Sequence, residues 1–440
     1  MFHVKLIEKF RMIAIDRLIF FIFLAFLPIQ TRILFNPEIA YIDWYFDYHL
    51  AFFLYFTDIL FLTCFTAWLI FNRPDWSKLR QNRLFLLILG FLGIALVSLF
   101  HVKQLSLGVY QTIKWLEFFL ILIYVQLTFR KLQDFNLAAW IIYLSALFQA
   151  GLGLIQFHVQ HLVGLTWLGE YIAPLGTSGL ATIETISGKV IRAYGTMPHP
   201  NVLAAFLVLG LIFGLYLLSQ KKSLAQHLFV ETGLFIILMG IFVTFSRLAW
   251  IAAIVACGSF IIYNWFHNRK KAGTIVFVMI LVFLTIGIFY GNNFKARATE
   301  GRSTSLTDRY FFNDLGLNFI KKYPMLGVGV GNYVNTINDL YQLEPWQHQP
   351  AHNIFIFIAS ELGLLGLGLF IMILLEVFSK LGNVLRNPIS FTLVTIGLLF
   401  LILGQFDHYL VTIQQGRLMF AVVLGLIAAA PNLHDDQKTD

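Results

Sequence analysis

Residues 228–265 read LFVETGLFIILMGIFVTFSRLAWIAAIVACGSFIIYNW, an apolar run with two charged side chains. As a single helix rising about 1.5 Å per residue, this run would be nearly twice as long as the hydrocarbon core of a bilayer is thick. Lysines at 221–222 precede it, and three basic residues at 269–271 follow it. Because basic loops stay mainly in the cytoplasm, both flanks lie on one side, and the chain must cross the membrane twice. The turn then falls at residues 244–249, which places Arg247 at the outer surface.

The composition extends this interpretation to the whole chain. Of its 440 residues, 58% are hydrophobic and only 12% are charged, and the mean hydropathy is +0.76. Roughly a quarter of the residues in soluble globular chains are charged, so the sequence indicates a membrane protein. Its apolar runs are continuous and do not alternate every second residue, which favours helices over a β-barrel. We therefore predict an all-α polytopic membrane helical bundle that forms a single integral membrane domain over residues 1–440.

About twelve runs are long enough to cross a membrane core of roughly 30 Å. They lie near residues 16–35, 50–71, 84–100, 109–129, 137–158, 201–219, 228–245, 248–265, 274–290, 352–377, 389–404 and 410–430. The other basic residues near the ends of these runs fall on one side: Lys5, Lys9, Arg11, Arg73, Lys78, Arg80, Arg83, Arg130, Lys131, Lys380 and Arg386. This bias predicts that both termini are cytoplasmic and that two long loops, 159–200 and 291–351, are external. It also accounts for the net charge of +8 without nucleic acid as a partner.

Motifs of soluble cofactor and metal chemistry are missing from the sequence. It contains no Walker loop, no HExxH and no CxxC. The stretch GVGVGNY at 327–333 has no strand–helix unit around it, so we predict a flexible turn and not a nucleotide-binding loop. His348 and His352 have the spacing of zinc ligands on a helix, but Pro350 lies between them. We therefore predict no metal site and no cofactor.

Arg247 and its neighbour Ser246 form the first candidate site on the outer surface. The turn carries no other charge at its tip, and the serine adds a second hydrogen-bond donor, which suits the binding of an anion. An arginine that only anchors the turn at the membrane interface is equally compatible with the local sequence.

Residues 303–324, STSLTDRYFFNDLGLNFIKKYP, predict an amphipathic helix within the external loop 291–351, before the tenth membrane helix. Thr307 is the expected N-cap, and Pro324 ends the helix. The apolar stripe consists of Phe311, Leu315, Phe319 and Tyr323. Arg309 then lies in the first turn, where backbone N–H groups and the helix dipole favour an anion. A solvated arginine that pairs with a neighbouring acid is the alternative.

Residues 349–368, QPAHNIFIFIASELGLLGLG, begin polar and continue as a membrane segment. Pro350 suits the first position of a helix, which places His352 in the first turn. A helix N-terminus disfavours the imidazolium, so His352 is expected to be neutral and able to accept a proton from a hydroxyl. A histidine that only caps the helix or donates a hydrogen bond is the alternative. Glu361 is expected to pair with another helix, and Gly363 to allow close helix packing.

Two arginines suited to a phosphate-rich anion and one histidine suited to deprotonating an alcohol are thus predicted on one face. Four stretches form a pattern, of which the last three contain these residues: RAYGTMPHPNVLAAFL (192–207), TFSRLAW (244–250), DRYFFNDLGLNFIKKYPMLGVGVGNY (308–333) and AHNIFIFIASELGLLGLGLF (351–370). In order and spacing, these stretches resemble the O-antigen ligases and O-antigen polymerases, a superfamily of Wzy-type bacterial membrane glycosyltransferases. The resemblance extends over about residues 190–410.

The resemblance implies an enzyme of the bacterial inner membrane, surrounded by membrane lipids, with its active site on the outer face. Its donor would be a polyprenyl-diphosphate-linked glycan, and its acceptor a hydroxyl of a glycolipid or glycan. Arg247 and Arg309 match the arginines that hold the diphosphate, and His352 matches the histidine that activates the acceptor. Arg192 is a secondary candidate. Because arginines can neutralise the diphosphate charge, a metal-independent, inverting glycosyltransferase is implied.

Three functions remain open at this point. A ligase joins a finished glycan to an acceptor, whereas a polymerase joins two lipid-linked repeats, and the two share their motifs. A flippase or transporter would bury ionisable residues near the midplane or break helices in two corresponding halves. The ionisable residues within the apolar runs are scattered along the chain: Asp58, Lys114, Glu117, Glu231 and Glu376. Because the other polar groups gather on one face, the sequence favours an enzyme.

Overall fold

Helices make up most of this protein. The computed structural model describes residues 15–72, 81–172, 177, 179–185, 188–220, 223–299, 302–382, 384 and 387–436. Within this part of the chain, the protein is 75% helical, with 16 helices and three two-stranded sheets. The predicted class, a polytopic helical membrane protein, is confirmed.

The helices are α1 (Ile15–Phe26), α2 (Phe56–Asn72), α3 (Arg83–Ser98), α4 (Leu105–Thr128), α5 (Leu132–Val159), α6 (Pro200–Ser219), α7 (Leu224–Val243), α8 (Arg247–His267), α9 (Arg269–Phe289), α10 (Gly291–Thr299), α11 (Arg302–Lys322), α12 (Tyr333–Leu340), α13 (Ile354–Phe378), α14 (Pro388–Phe406), α15 (Tyr409–Thr412) and α16 (Gln414–Asp436). Six short strands form antiparallel pairs: β1 (Arg32–Phe35) with β4 (Phe52–Tyr55), β2 (Tyr41–Ile42) with β3 (Tyr45–Phe46), and β5 (Thr182–Thr185) with β6 (Gly188–Ile191). Single 3₁₀ turns occur at Pro37–Ala40, Tyr48–Leu50, Thr166–Leu168 and Pro345–Gln347.

Nine of the described helices are long and apolar enough to cross a membrane: α4 to α9, α13, α14 and residues 414–433 of α16. The apolar helices α2 and α3 are shorter, and α1 has 12 residues. Each of the roughly twelve predicted crossings coincides with one of these helices. The predicted runs 16–35 and 50–71 are wrong in extent, because residues 32–35 and 52–55 pair as β1 and β4 and do not continue the helices.

The run 228–265 forms two helices, α7 and α8, as predicted, and the turn between them is residues 244–246. Both helices pack against α6, which also contacts α5 and α14 and is buried over almost its whole length. Helix α6 is therefore the centre of this part of the bundle, and its N-terminus supports the candidate site.

The predicted orientation rests largely on residues outside the described part of the chain: Lys5, Lys9, Arg11, Arg73, Lys78, Arg80, Lys221, Lys222 and Arg386. Two described basic residues meet at one end of the bundle, as predicted. Arg83 at the start of α3 and Lys380 after α13 both pair with Glu376, at 3.8 Å and 2.7 Å. Which side of the membrane this end occupies stays a prediction.

The predicted external loop 291–351 contains three helices, α10, α11 and α12, of which α11 corresponds to the predicted amphipathic helix. Helix α11 begins at Arg302 and not after Thr307, so the prediction that Arg309 lies in the first turn is wrong. Residues 303–305 are serine and threonine, which are capping residues like Thr307, so the sequence alone did not single out the helix start. The buried stripe differs as well, since its members are Phe312, Leu315 and Phe319, whereas Phe311 and Tyr323 are each 38% exposed.

Residues 324–331 are ordered by backbone hydrogen bonds to α13, so the predicted flexible turn at 327–333 is wrong. The N–H of Val328 donates to the carbonyl of Ser360 (2.8 Å), and that of Gly329 donates to the carbonyl of Glu361 (2.9 Å). Helix α13 is interrupted there by Gly363, whose φ of 66° is non-helical. Irregular backbone at this depth is tolerated because it is buried in protein and its polar groups are paired.

Gly363 therefore serves a helix break and not helix packing, which corrects the sequence prediction. A Cβ at this position would lie 2.1 Å from the carbonyl oxygen of Met325. Glu361 was expected to pair with another helix. Its side chain accepts a 3.4 Å hydrogen bond from the N–H of Tyr333, the first residue of α12, so its partner is a helix N-terminus.

Candidate functional site

His352 lies two residues before α13, at the boundary between the polar segment and the helix. The N-cap is Asn353, whose side chain accepts hydrogen bonds from the N–H groups of Phe355 (2.9 Å) and Ile356 (3.2 Å). The prediction that Pro350 begins the helix is therefore wrong, because the stronger capping residue, asparagine, fixes the start at Ile354. His352 lies just outside the helix, and its side chain is 16% exposed.

Asp407, which the sequence analysis did not identify, is the acidic partner of His352. Its Oδ1 lies 3.6 Å from Nδ1 of His352, longer than a hydrogen bond, so the carboxylate faces the imidazole without bonding to it directly. The Asp407 carboxylate also accepts hydrogen bonds from the N–H of His408 (2.9 Å) and from Nδ2 of Asn201 (3.1 Å). Burial raises the pKa of Asp407, but the imidazoles of His352 and His408 outweigh burial and hold this pKa well below its usual range. Asp407 is therefore ionised.

His199, the N-cap of α6, was not predicted from sequence but lies close to residues that were. Burial, followed by the charges of Arg192, His352 and Arg309, lowers the pKa of His199 to about 4, although Asp407 opposes this shift. Such an interaction requires these groups to lie near one another. Three residues predicted from sequence, Arg192, His352 and Arg309, thus lie close enough to His199 for their charges to act on it. His199 is neutral at neutral pH.

Arg192 connects the α7–α8 turn to Asp407. Its Nε donates to the carbonyl of Thr244 (2.6 Å), and its Nη2 donates to Oδ1 of Asn201 (2.9 Å). Asn201 in turn bonds to Asp407, the charge partner of His352. The Arg192 side chain is buried, so its geometry suits holding the turn and Asp407 in place.

Arg247 is the first residue of α8, at the turn that Arg192 supports. A second arginine also holds this turn, since Nε of Arg297 donates to the carbonyl of Phe245 (2.9 Å). Phe245 has a left-handed φ of 49°, which reverses the chain sharply before the N-cap Ser246. Arg247 thus begins a helix whose first N–H groups and dipole favour an anion.

Arg309 approaches His352 from α11. Phe312, one turn further along the same helix face, has its ring 5.4 Å from the ring of His352. The Arg309 side chain is partly exposed, and its charge acts on both His199 and Tyr409. The structure therefore brings Arg309 to the His352 end of the bundle, although by the third turn of α11 and not by its N-terminus.

His352, Asp407 and His408 are the group among the described residues that could hold a metal ion. Their possible ligand atoms lie within 4.8 Å of one another. Nδ1 of His408 is 2.6 Å from Oγ1 of Thr412, and Asp407 is already bonded to Asn201, so two members have other partners. The prediction of metal-independent chemistry stays a prediction.

The ionisable residues within the apolar helices are not all scattered, contrary to the sequence prediction. Nζ of Lys114 pairs with Asp58 (2.6 Å) and with Glu117 (3.3 Å). Nε2 of Gln414 donates to both acids. The four side chains form one network, in which a single lysine lies between two carboxylates.

The most informative signal that the sequence analysis missed is the pair Asp407–His408. It lies between the predicted crossings 389–404 and 410–430, in a loop of five residues assigned to the same face as His352. An acid beside a histidine at such a place is a recognisable candidate. The partners Asn201 and Arg297 carry no comparable local signal, because their roles depend on contacts with distant residues.

One comparison with known proteins covers a segment that contributes to this site. Residues 232–371 match the family described as O-antigen ligase, so the predicted resemblance to the O-antigen ligase superfamily is confirmed over about a third of the chain. This segment contains Arg247, Arg309 and His352. The match supports a glycosyltransferase-type role with lipid-linked glycan substrates for a multi-pass inner-membrane protein.

Two further comparisons are less informative. No curated protein matches the chain significantly. A solved chain described as "Structural coordination of polymerization and crosslinking by a peptidoglycan synthase complex" is 14% identical, with a TM-score of 0.36, and the match covers 83% of this chain and 99% of that one. A similarity of this size carries no conclusion about fold or activity.

Proposed function

We propose that this protein is an O-antigen ligase-type glycosyltransferase of bacterial cell-surface polysaccharide. It would transfer a glycan from a polyprenyl-diphosphate-linked donor to an acceptor hydroxyl on the outer face of the inner membrane. The observation that carries this proposal is the position of His352, 3.6 Å from the Asp407 carboxylate, which Asn201 joins by hydrogen bonds to Arg192, and beside Phe312 on the helix that carries Arg309. An acid-supported histidine beside cationic groups suits the attack of an alcohol on a phosphorylated donor.

In the proposed reaction, His352 accepts the proton of the acceptor hydroxyl as the oxygen attacks the anomeric carbon. The bond between that carbon and the diphosphate oxygen breaks, and the lipid diphosphate leaves with the bonding electron pair. The ionised Asp407 stabilises the imidazolium that forms. Attack in line with the leaving group inverts the anomeric centre.

Arg247 and Arg309 are proposed to bind the diphosphate, whose negative charge increases as the bond breaks. Guanidinium groups bind phosphate oxygens in pairs, and their charge does not depend on pH. Fixed cations at this position lower the barrier without a metal ion. Arg192 is proposed to position the Arg247 turn and Asp407, because its hydrogen bonds join both.

The test is transfer by the purified full-length protein, supplied with lipid-linked glycan and two acceptors. One acceptor is rough lipopolysaccharide that lacks O-antigen, and the other is a second lipid-linked repeat. We expect wild-type protein to extend the lipopolysaccharide, whereas His352→Ala lowers kcat by about 10²–10⁴-fold. His161→Ala, at an exposed histidine, is the matched control. Full activity of His352→Ala contradicts the assignment of the base.

A further inference from the structure

Three side chains with metal-ligand atoms meet where α13 begins and α14 ends. His352, Asp407 and His408 each offer one ligand atom, and these atoms lie within 4.8 Å of one another. Nδ1 of His352 is 3.6 Å from Oδ1 of Asp407, and the two imidazole rings are 5.0 Å apart. Ligand atoms lie about 2.0–2.2 Å from the ion in a tetrahedral zinc site, and thus about 3.3 Å from one another. Small rotations of the side chains would therefore bring the three atoms around one ion.

The hydrogen bonds of His408 leave one of its ring nitrogens available as a ligand. The hydroxyl of Thr412 donates to the carbonyl of His408 (3.1 Å), so the hydroxyl oxygen accepts the hydrogen bond from Nδ1 (2.6 Å). Nε2 then carries the lone pair, and within the described part of the chain it makes no hydrogen bond. Metal-binding histidines usually donate their second N–H to an oxygen in this way, which fixes the tautomer and the ring.

His352 and Asp407 present the other two ligand atoms. Nδ1 of His352 is buried and has no hydrogen-bond partner among the described residues, which is a costly state that a bound ion would relieve. Oδ1 of Asp407 accepts one hydrogen bond, from the N–H of His408, and has a second lone pair for an ion. The other oxygen of the carboxylate accepts from Asn201 (3.1 Å), an outer partner of the kind that orients carboxylate ligands.

Two imidazoles and one carboxylate form a donor set that suits zinc. Sites with three such ligands leave the fourth position to water, and the His352 side chain, 16% exposed, gives an ion access. Mg²⁺ and Ca²⁺ prefer oxygen ligands, so this set discriminates against them. Arg192 and Arg309, whose charges act on the neighbouring His199, repel a cation. We therefore expect weaker binding than at a structural zinc site.

We propose that His352, Asp407 and His408 form a zinc-binding site and that the bound ion inhibits glycan transfer. The inhibition rests on the proposed function, whereas the binding site does not. Because Asp407 faces Nδ1 of His352, Nε2 is the nitrogen that accepts the proton of the acceptor hydroxyl. An ion on Nδ1 leaves the single proton of the neutral ring on Nε2, so the ring has no lone pair for that proton.

The first measurement is Zn²⁺ binding to the purified full-length protein, by calorimetry without substrates. His408→Asn removes the Nε2 ligand but keeps an amide near the position of Nδ1, and Thr412→Val removes the hydrogen bond that fixes the ring. We expect one tight site per wild-type chain, with an affinity at least about 100-fold lower in His408→Asn and about 10–100-fold lower in Thr412→Val. The matched control is His227→Asn, at a histidine that lies 3.1 Å from Glu231, and its zinc affinity is expected to equal that of wild-type protein.

The second measurement is glycan transfer at increasing Zn²⁺ concentration, with each protein compared with its own rate without the ion. We expect Zn²⁺ to lower the kcat of wild-type protein at concentrations near the Kd from calorimetry, and EDTA to restore it. In Thr412→Val the half-inhibiting concentration should rise by the same factor as the Kd. Zinc that acted by binding the donor diphosphate would inhibit both proteins equally. Mg²⁺ at about 100-fold higher concentration is expected to leave the rate unchanged.

The outcomes separate this inference from the proposed function. If wild-type protein binds no Zn²⁺, or if a folded His408→Asn or Thr412→Val protein binds it as tightly as wild type, the site is wrong, while the proposed function stands. If Zn²⁺ binds as expected but wild-type protein transfers no glycan, the proposed function fails, and the site stands without the inhibition. Binding without loss of rate contradicts the inhibition. A monodisperse elution profile and a wild-type unfolding midpoint show that a variant is folded, and a variant that lacks them leaves the decision to the other.

Discussion

Two regions near His352 differ in what holds them together. The arginine flank consists of Arg192, His199, Asn201, Arg247 and Arg309, and the pocket flank consists of residues that line a small cleft, Tyr48, His49, Tyr110, Gln111, Thr412 and Arg417. The arginine flank is joined by charge: Arg192 connects the α7–α8 turn to Asn201 and Asp407, and buried His199 is kept neutral. The pocket flank is joined by neutral groups around one buried arginine, with tyrosine rings fixed by their own hydroxyls. The difference teaches that the proposed diphosphate belongs on the arginine flank, where cations are held in place by neutral partners.

The largest expected effect comes from removing the charges of the arginine flank. The double variant Arg247→Ala/Arg309→Ala loses two charged donors to the diphosphate, each worth about 1.5–3 kcal/mol. We expect kcat/KM for the lipid-linked donor to fall by at least about 10²-fold, measured in the transfer assay, while the KM for the acceptor stays within about twofold.

A matched control for this prediction is the double variant Arg130→Ala/Arg269→Ala, which removes two other exposed arginines at helix ends. It has the same change in net charge, so a nonspecific effect of charge on lipid binding would appear in both proteins. Donor binding that is equally weakened in the control, or unchanged in the site variant, contradicts the assignment of the diphosphate site to this flank.

The next effect concerns the pH dependence of stability and tests whether burial and nearby charge keep His199 neutral. Burial and Arg192 lower the pKa of His199 to about 4, from a usual value of 6.5. Between these pH values the unfolded chain binds a proton that the folded protein does not, so stability falls as the pH drops from 6.5 towards about 4. The integrated loss is on the order of 3 kcal/mol.

The variant His199→Asn retains an N-cap acceptor but removes the titrating ring. We expect its thermal unfolding midpoint to depend less on pH in this window than that of wild-type protein. His161→Asn, at an exposed histidine, should follow the wild-type curve. Parallel curves for wild type and His199→Asn would show that His199 is not held neutral by its neighbours.

A smaller loss of stability is expected from Gly363→Ala, outside both flanks, at the break in α13. The new Cβ would lie 2.1 Å from the Met325 carbonyl oxygen, at a φ of 66°. The resulting shift of residues 324–331 should cost about 1–3 kcal/mol and lower the unfolding midpoint by several degrees. Gly368→Ala, on the same helix with open space around it, is the control.

Sequence reasoning succeeded where a local pattern determines the structure. Continuous apolar runs between basic residues predicted α7 and α8, because a membrane-spanning segment must satisfy its own backbone hydrogen bonds. Sequence reasoning failed where distant segments form hydrogen bonds with each other: β1 pairs with β4, and residues 324–331 bond to the break in α13. A hydropathy profile does not describe such contacts. The arginines and His352 were found through motifs, whereas the pocket is assembled from tyrosines and glutamines that resemble no motif.

The smallest expected effect is that of Asp407→Asn, at the residue that connects the two flanks. Asp407 bonds to Asn201 on the arginine flank and to the N–H of His408 beside the pocket, and it faces His352 at 3.6 Å. An amide preserves the shape and much of the hydrogen bonding but not the charge that stabilises the imidazolium. Without a direct hydrogen bond to His352, that charge acts at longer range, so we expect kcat to fall about tenfold.

Both KM values should remain within about twofold of wild type, because the side chain at position 407 would touch neither substrate. The measurement is kcat and both KM values across pH, and Asp339→Asn, whose acid pairs only with Lys103 among described residues, is the control. A rise in either KM would mean that Asp407 forms part of a binding surface. An unchanged kcat would mean that His352 acts without charge support, and the two flanks would then be connected by His352 alone.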